Sequence, residues 1–184
     1  MTDLFERLNE IKFFAGFTPQ VKREYLAYIR EEYGRQLDGP NAEYFRAYPG
    51  LALVAAKLEM VWDSVETDVE ELSECSFGMF NAQEIQVVGN NENPTLEFDL
   101  DGTTERFTND IATFAFRCFD FVASRFGRAN DLVRPHSIYY PSDYPLYYVV
   151  FCTPDALDRL GESSLIPSHR DEVQNQSFMD WVDT

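Results

Sequence analysis

The 184-residue sequence has few of the features that mark membrane, secreted or redox proteins. It contains no run of about 18 apolar residues, so no membrane span is expected. Its first residues, MTDLFERLNE, show neither the basic region nor the apolar region of a signal peptide. The three cysteines form no CxxC pair, which favours reduced thiols. We therefore predict a cytoplasmic protein with no membrane partner.

Motifs for nucleotides and metals are also missing. No GxGxxG or GxxxxGK[ST] segment occurs. His136 and His169 lie in RPHS and SHRDE, where no cysteine is near enough in sequence for a zinc site. Cys152 precedes Thr153-Pro154, and we interpret it as a buried structural thiol. The sequence therefore predicts no cofactor, no metal site and no catalytic residues.

Positive charge is scarce in the second quarter of the chain. The formal net charge is −17, and residues 51–100 carry 11 acidic residues against Lys57 alone. Binding of a nucleic-acid backbone or an anionic membrane needs Lys and Arg, so this balance argues against both. Solubility alone does not require such a concentration of one sign.

The densest acidic segment is DSVETDVEELSEC, residues 63–75, which we predict to be a partner-binding surface. Its six carboxylates belong to Asp63, Glu66, Asp68, Glu70, Glu71 and Glu74. Apolar residues recur at threes and fours over 51–72, which predicts one amphipathic helix whose inward face includes Val61. The acids would then crowd its C-terminal half, where the helix dipole and like-charge pairs disfavour them. Alternatively a second helix begins at Thr67, because Thr67-Asp68-Val69-Glu70 fits a capping box.

The periodicity predicts an α+β fold: a helical N-terminal half, then a small, mainly antiparallel sheet packed against helices. The predicted helices are TDLFERLNEIKFF, TPQVKREYLAYIREEYG, NAEYFRAY, NDIATFAFRCFDFVASRFG, TPDALDRLG and HRDEVQNQSFMDWV. The predicted strands are EIQVV, TLEFDL and LYYVVFC, and Asp101-Gly102 indicates a hairpin turn. We interpret residues 1–184 as one domain, with a mainly helical part at 1–74 and a sheet-plus-helix part at 84–184.

A loop of tyrosines and prolines, RPHSIYYPSDYP, is a second candidate contact surface. Tyr139, Tyr140 and Tyr144 flank prolines, and tyrosine on a stiff loop gives a large amphipathic contact at low entropic cost. The alternative is that these rings pack onto the sheet. We predict the three tyrosines to be anchors for a protein partner.

The segment LEFDLDGTT, residues 96–104, contains DxDGT at the end of a predicted strand. It resembles the first motif of the haloacid-dehalogenase-like phosphohydrolases. The resemblance implies that Asp99 is a nucleophile, Asp101 a general acid/base and Mg²⁺ the cofactor. The residues themselves are also typical of a plain Asp-Gly turn. A Mg²⁺-dependent phosphohydrolase is therefore one alternative function.

The composition favours a binding protein over an enzyme. A dense negative patch steers a basic partner at a high rate. We therefore predict an acidic inhibitor, with a bacterial immunity protein that neutralises a basic toxin or nuclease domain as the favoured form. A nucleic-acid-mimic inhibitor from a mobile element is a second alternative and would use the same surface. Charge reversal at Glu66 and Glu70 is expected to slow association and to leave the fold intact.

Overall fold

The computed structural model describes residues 2–40, 42–90, 92–126, 133–138 and 147–167. The α-helices in these ranges are α1 (Thr2–Glu10), α2 (Pro19–Leu37), α3 (Ala42–Ala47), α4 (Val65–Glu74), α5 (Phe114–Phe126) and α6 (Pro154–Glu162). A 3-10 helix spans Pro49–Leu53. The strands are β1 (Ala56–Leu58), β2 (Ala82–Gly89), β3 (Pro94–Leu100), β4 (Thr103–Thr108), β5 (Arg134–Ile138) and β6 (Tyr147–Cys152). The predicted α+β class is confirmed.

Helix α2 forms where local signals in the sequence predict it. The Thr18 side-chain oxygen accepts the Val21 N–H at 3.3 Å, and Pro19 occupies the first turn. Tyr25 and Ile29, one turn apart, are fully buried. Capping and spacing together therefore define both the start of this helix and its inward face.

Two tyrosine hydroxyls connect α2 to the end of the 3-10 helix. Tyr25 donates to the Leu53 carbonyl and Tyr28 to the Val54 carbonyl. Burial raises the pKa of both phenols, so they remain protonated donors at neutral pH. These contacts position the chain for its entry into β1.

The predicted single helix over residues 51–72 is wrong. The chain there forms the 3-10 helix, strand β1 and a loop of residues 59–64 before α4 begins at Val65. Leu58 of β1 lies opposite Tyr147 of β6 in an antiparallel pair, so pairing across the fold overrides the helical pattern. The alternative prediction, a second helix that begins at Thr67, is closer to the observed start at Val65. The predicted capping box is not formed, however, because the N-cap is Ser64 and its side chain makes no capping bond.

The strands form two antiparallel sheets of three strands each, not one. Sheet A has the order β1-β6-β5, and every residue of its central strand after Tyr147 is buried. Sheet B is the meander β2-β3-β4, and β3 alternates between buried and half-buried residues. Sheet B therefore packs one face on the core and turns the other toward solvent.

The predicted Asp-Gly turn is confirmed. Asp101 and Gly102 have φ values of 53° and 76°, the positive range that a type I′ turn requires at both positions. Leu100 and Thr103 pair directly on either side of the turn. The turn therefore sets the register of β3 against β4.

One apolar core joins the two sheets to the helices. The Phe80 and Phe126 rings stack with centroids 4.6 Å apart, and Phe126 stacks on Phe151 of β6 at 5.4 Å. Phe77 continues the row, 6.3 Å from Phe151 and 4.5 Å from Tyr25 of α2. Aromatic pairs of this kind add about 0.5–1.5 kcal/mol each beyond the area that they bury.

Candidate protein-binding surface

The six carboxylates of residues 63–75 differ in their surroundings because α4 has one buried and one exposed face. Its buried residues are Val65, Asp68, Val69 and Leu72. Glu66, Glu70 and Glu74 are exposed and follow at four-residue intervals, so they form one row along the helix. Asp63 is exposed in the loop before the helix. We call Asp63, Glu66, Glu70 and Glu74 the acidic ridge.

Asp68 does not belong to the acidic ridge. Its side chain is 9% exposed, and its Oδ1 accepts the Glu59 N–H at 3.0 Å. Its Oδ2 accepts the Met60 N–H and the Ser64 hydroxyl, both at 2.9 Å. Met60 has a φ of 53°, a conformation that non-glycine residues rarely adopt without support. We therefore assign Asp68 to holding the loop and leave it out of the contact surface.

Glu66 and Glu71 have structural contacts as well. A Glu66 carboxylate oxygen accepts the Val87 N–H of β2, and Glu71 Oε1 accepts the Lys57 N–H of β1 at 3.4 Å. The side chain of Ser73 bonds to the other end of β2. Helix α4 thereby covers the outer edge of β2, which would otherwise present unpaired backbone groups. Glu66 remains exposed although it accepts the bond from β2, so it belongs to the acidic ridge. Glu71 is half-buried and does not.

No ion pair neutralises the acidic ridge within the part of the chain that the structure describes. The ion pairs found there join Arg35 to Glu32, Arg106 to Glu97, Arg117 to Asp120, Arg125 to Glu105 and Arg159 to Asp155. Lys57 Nζ instead lies 5.9 Å from the centre of the Tyr148 ring.

The acids toward the C-terminal end of α4 lower the stability of the helix, whereas Glu66 and Asp68 lie in its first turn, where the dipole favours them. The last turn contains no basic residue, although that end of the helix dipole is negative. Glu66–Glu70 and Glu70–Glu74 are like-charge pairs one turn apart. Each such pair costs a few tenths of a kcal/mol, roughly the gain of an opposite-charge pair. The ridge is therefore not explained by the stability of α4.

Trp62 is the residue that sequence reasoning missed. Val61 and Trp62 occupy the loop before α4 with 46% and 49% of their surface exposed. The prediction that Val61 faces inward is wrong, because the chain turns at Met60 and does not continue as a helix. Exposed tryptophan is enriched among the residues that dominate protein interfaces. The sequence did contain one signal for a loop here. Ser64 and Asp68 are polar residues of the kind found at the start of a helix, which indicates that the residues before Ser64 are not helical.

Three other predictions concern residues outside the described part of the chain. Tyr139, Tyr140 and Tyr144 lie outside the described residues, so their role as anchors stays a prediction. The same holds for the helix predicted over HRDEVQNQSFMDWV and for His169.

The DxDGT motif lies on an antiparallel hairpin, with an antiparallel neighbour on each side of β3. Asp99 Oδ1 accepts the Thr104 hydroxyl at 2.7 Å, and Asp101 is exposed in the turn. Among the described residues, no cluster of three or more His, Cys, Asp or Glu side chains could hold a metal ion. This geometry adds no support to the phosphohydrolase alternative.

The three thiols are protonated at neutral pH. Burial raises the pKa of Cys118 and of Cys152 to about 12. Burial, together with Glu71 and Glu74, raises the pKa of Cys75 to about 11. The prediction that Cys152 is buried is confirmed.

Comparison with protein-family models, with curated proteins and with solved structures found no match. No helix in the described ranges is long and apolar enough to cross a membrane.

Proposed function

We propose that this protein binds a basic protein partner through the acidic ridge. We further propose that it acts as an inhibitor of the immunity-protein type, which neutralises a toxin or nuclease domain. The observation that carries the proposal is a row of exposed carboxylates that no described cation neutralises and whose C-terminal members disfavour their own helix. A partner with opposite charge supplies the interactions that the fold does not.

The spacing of the ridge suits recognition of a basic surface at short range. Glutamates four residues apart on a helix are separated by about 6 Å along its axis, so Glu66 to Glu74 spans about 12 Å. At physiological salt, screening limits the electrostatic field of these carboxylates to about 8 Å. The ridge therefore attracts a basic partner during the last stage of its approach. In a nuclease, the natural counterpart is the cationic surface that holds the phosphate backbone.

The nucleic-acid-mimic alternative would use the same ridge against a DNA-binding enzyme. It differs from the main proposal in the partner alone, so the experiment that identifies the partner separates the two. No observation favours the phosphohydrolase over either of them.

The first test is capture of proteins from the native cells on the immobilised, tagged protein at low salt, followed by stepwise salt elution and mass spectrometry. The double variant Glu70→Lys/Glu74→Lys reverses the charge of the C-terminal half of the ridge and keeps the Glu66 contact to β2. The matched control is Glu6→Lys/Glu10→Lys, which reverses two exposed acids four residues apart on α1.

We expect wild type and the α1 control to retain the same basic protein, the ridge variant to lose it, and salt to elute it. If that protein is a toxin or nuclease, its activity should fall when wild type is added. Retention of the same protein by both variants would contradict the proposal, as would recovery of no basic protein.

A further inference from the structure

We propose that Val61 and Trp62 are the apolar anchor of the partner site. They would receive an apolar side chain that is flanked by Lys or Arg in the partner. This inference rests on the proposed function, because it assigns the partner chemistry of the same surface. The two residues are adjacent in the chain, and each exposes nearly half of its surface.

The loop that carries the anchor is held in place before any partner binds. The Ser64 N–H donates to the Val61 carbonyl at 3.1 Å, and the Val61 N–H donates to the Ser64 hydroxyl oxygen at 3.3 Å. Asp68 fixes Met60, the residue before the exposed pair, through its backbone N–H. A preformed loop loses little conformational freedom on binding, so contacts made by its tip contribute more fully to affinity.

The inner side of the loop is already packed against the core. Met60 and Val65, on either side of the exposed pair, are buried and line a small apolar crevice with Ala115 and Phe119 of α5. Val61 and Trp62, beside this packing, each keep nearly half of their surface exposed. The core therefore buries the neighbours of Trp62 and leaves about half of the Trp62 surface exposed.

The charges beside Trp62 select the kind of partner. Glu59, Asp63 and Glu66 are all exposed and lie within four residues of it. A second copy of the chain would bring the same carboxylates face to face, and a nucleic acid would add phosphates, so both are repelled. A basic segment satisfies these acids, and its Lys or Arg can also stack on the indole face.

The test uses purified full-length protein and three short synthetic peptides. One is an amphipathic peptide of Leu and Lys, one is oligolysine with the same charge, and one is a neutral peptide of Leu and Gln. Binding is measured by calorimetry at low and high salt for wild type, Trp62→Ala and Trp62→Phe, with circular dichroism to verify folding.

We expect wild type to bind the Leu–Lys peptide most tightly. Trp62→Ala should bind it at least about tenfold more weakly, near the affinity for oligolysine, and Trp62→Phe should retain most of the affinity. Equal binding of both basic peptides, unchanged in Trp62→Ala, would overturn the anchor and leave the ridge proposal standing. Binding of neither basic peptide would overturn both, and equal binding of the neutral peptide would overturn the basic partner chemistry.

A second measurement checks that the anchor is open in the free protein. Trp62 and Trp181 are the two tryptophans, so Trp181→Phe leaves Trp62 as the single tryptophan, which can be excited selectively at wavelengths beyond the tyrosine absorption. We expect its emission to be readily quenched by acrylamide and to become protected when the Leu–Lys peptide binds. A protected indole in the free protein would mean that another part of the chain already covers it, which would overturn the inference.

Discussion

Helices α4 and α6 have nearly the same length and differ in their N-caps and in the charge of their last turns. In α6 the Thr153 hydroxyl oxygen accepts the Ala156 N–H at 3.2 Å, Asp155 lies in the first turn and Arg159 in the last. All three features favour a helix. Helix α4 also has acids in its first turn, but its N-cap makes no side-chain bond and no basic residue occupies its last turn. Local sequence thus stabilises α6, whereas α4 depends on packing and leaves its exposed face free for another role.

The largest effect should come from the side chain that fixes α4 to the preceding loop. Asp68→Ala leaves the Glu59 and Met60 N–H groups without their acceptor, and we expect a loss of about 3 kcal/mol in the free energy of unfolding. Urea denaturation measures it. The control is Asp63→Ala at an exposed position, which should change stability by no more than about 0.5 kcal/mol. Equal effects of the two substitutions would show that Asp68 does not hold the loop.

Capping should matter in α6 and not in α4. Thr153→Ala removes the capping acceptor and should cost about 1 kcal/mol. Thr67→Ala should be neutral or slightly stabilising, because Thr67 lies exposed within α4 and alanine has the higher helix propensity. Thermal unfolding of the two variants compares them. A similar loss for Thr67→Ala would mean that the capping box predicted at this residue is present after all.

A pH-dependent loss of stability should come from the side of the molecule that holds α6. Burial lowers the pKa of His136, and the charge of Arg134 lowers it further. The hydrogen bond to the Cys152 carbonyl and the charge of Asp158 act in the opposite direction and do not cancel the decrease. The unfolded chain therefore takes up the proton first, and stability should fall as the pH drops through about 6.5. His136→Gln should reduce this slope in urea titrations between pH 5 and about 8. An identical slope in the variant would exclude His136 as its source.

The smallest expected effect is an increase in stability. Glu74→Lys places a cation at the negative end of α4 and replaces a like-charge pair with an opposite-charge pair, so stability should rise by about 0.5 kcal/mol. Glu10→Lys at the end of α1 should give a similar gain. Only Glu74→Lys should also weaken partner binding. A loss of stability in Glu74→Lys would mean that the ridge contributes to the fold itself.

Elements governed by neighbouring residues could be predicted from the sequence. Thr18-Pro19 marks the start of α2, Thr153-Pro154 the start of α6, and Asp101-Gly102 the turn between β3 and β4. Each signal acts within about four residues, so no knowledge of the rest of the fold is needed.

The region from β1 to α4 could not be predicted in the same way. Strand β1 exists because β6, about ninety residues later in the chain, pairs with it. The exposure of Trp62 depends on the turn at Met60, which in turn depends on the Asp68 carboxylate. The sequence located the acidic segment, but it could not divide that segment into the buried Asp68 and the exposed ridge.

The most direct test of the central claim is the association rate of the captured partner, measured by stopped flow over a range of salt concentrations. We predict that Glu70→Lys/Glu74→Lys slows association by about tenfold at low salt. The difference should disappear near 1 M salt, where the Debye length is about 3 Å. The matched α1 control, Glu6→Lys/Glu10→Lys, should associate at nearly the rate of wild type. Equal rates for the two double variants at low salt would contradict the account.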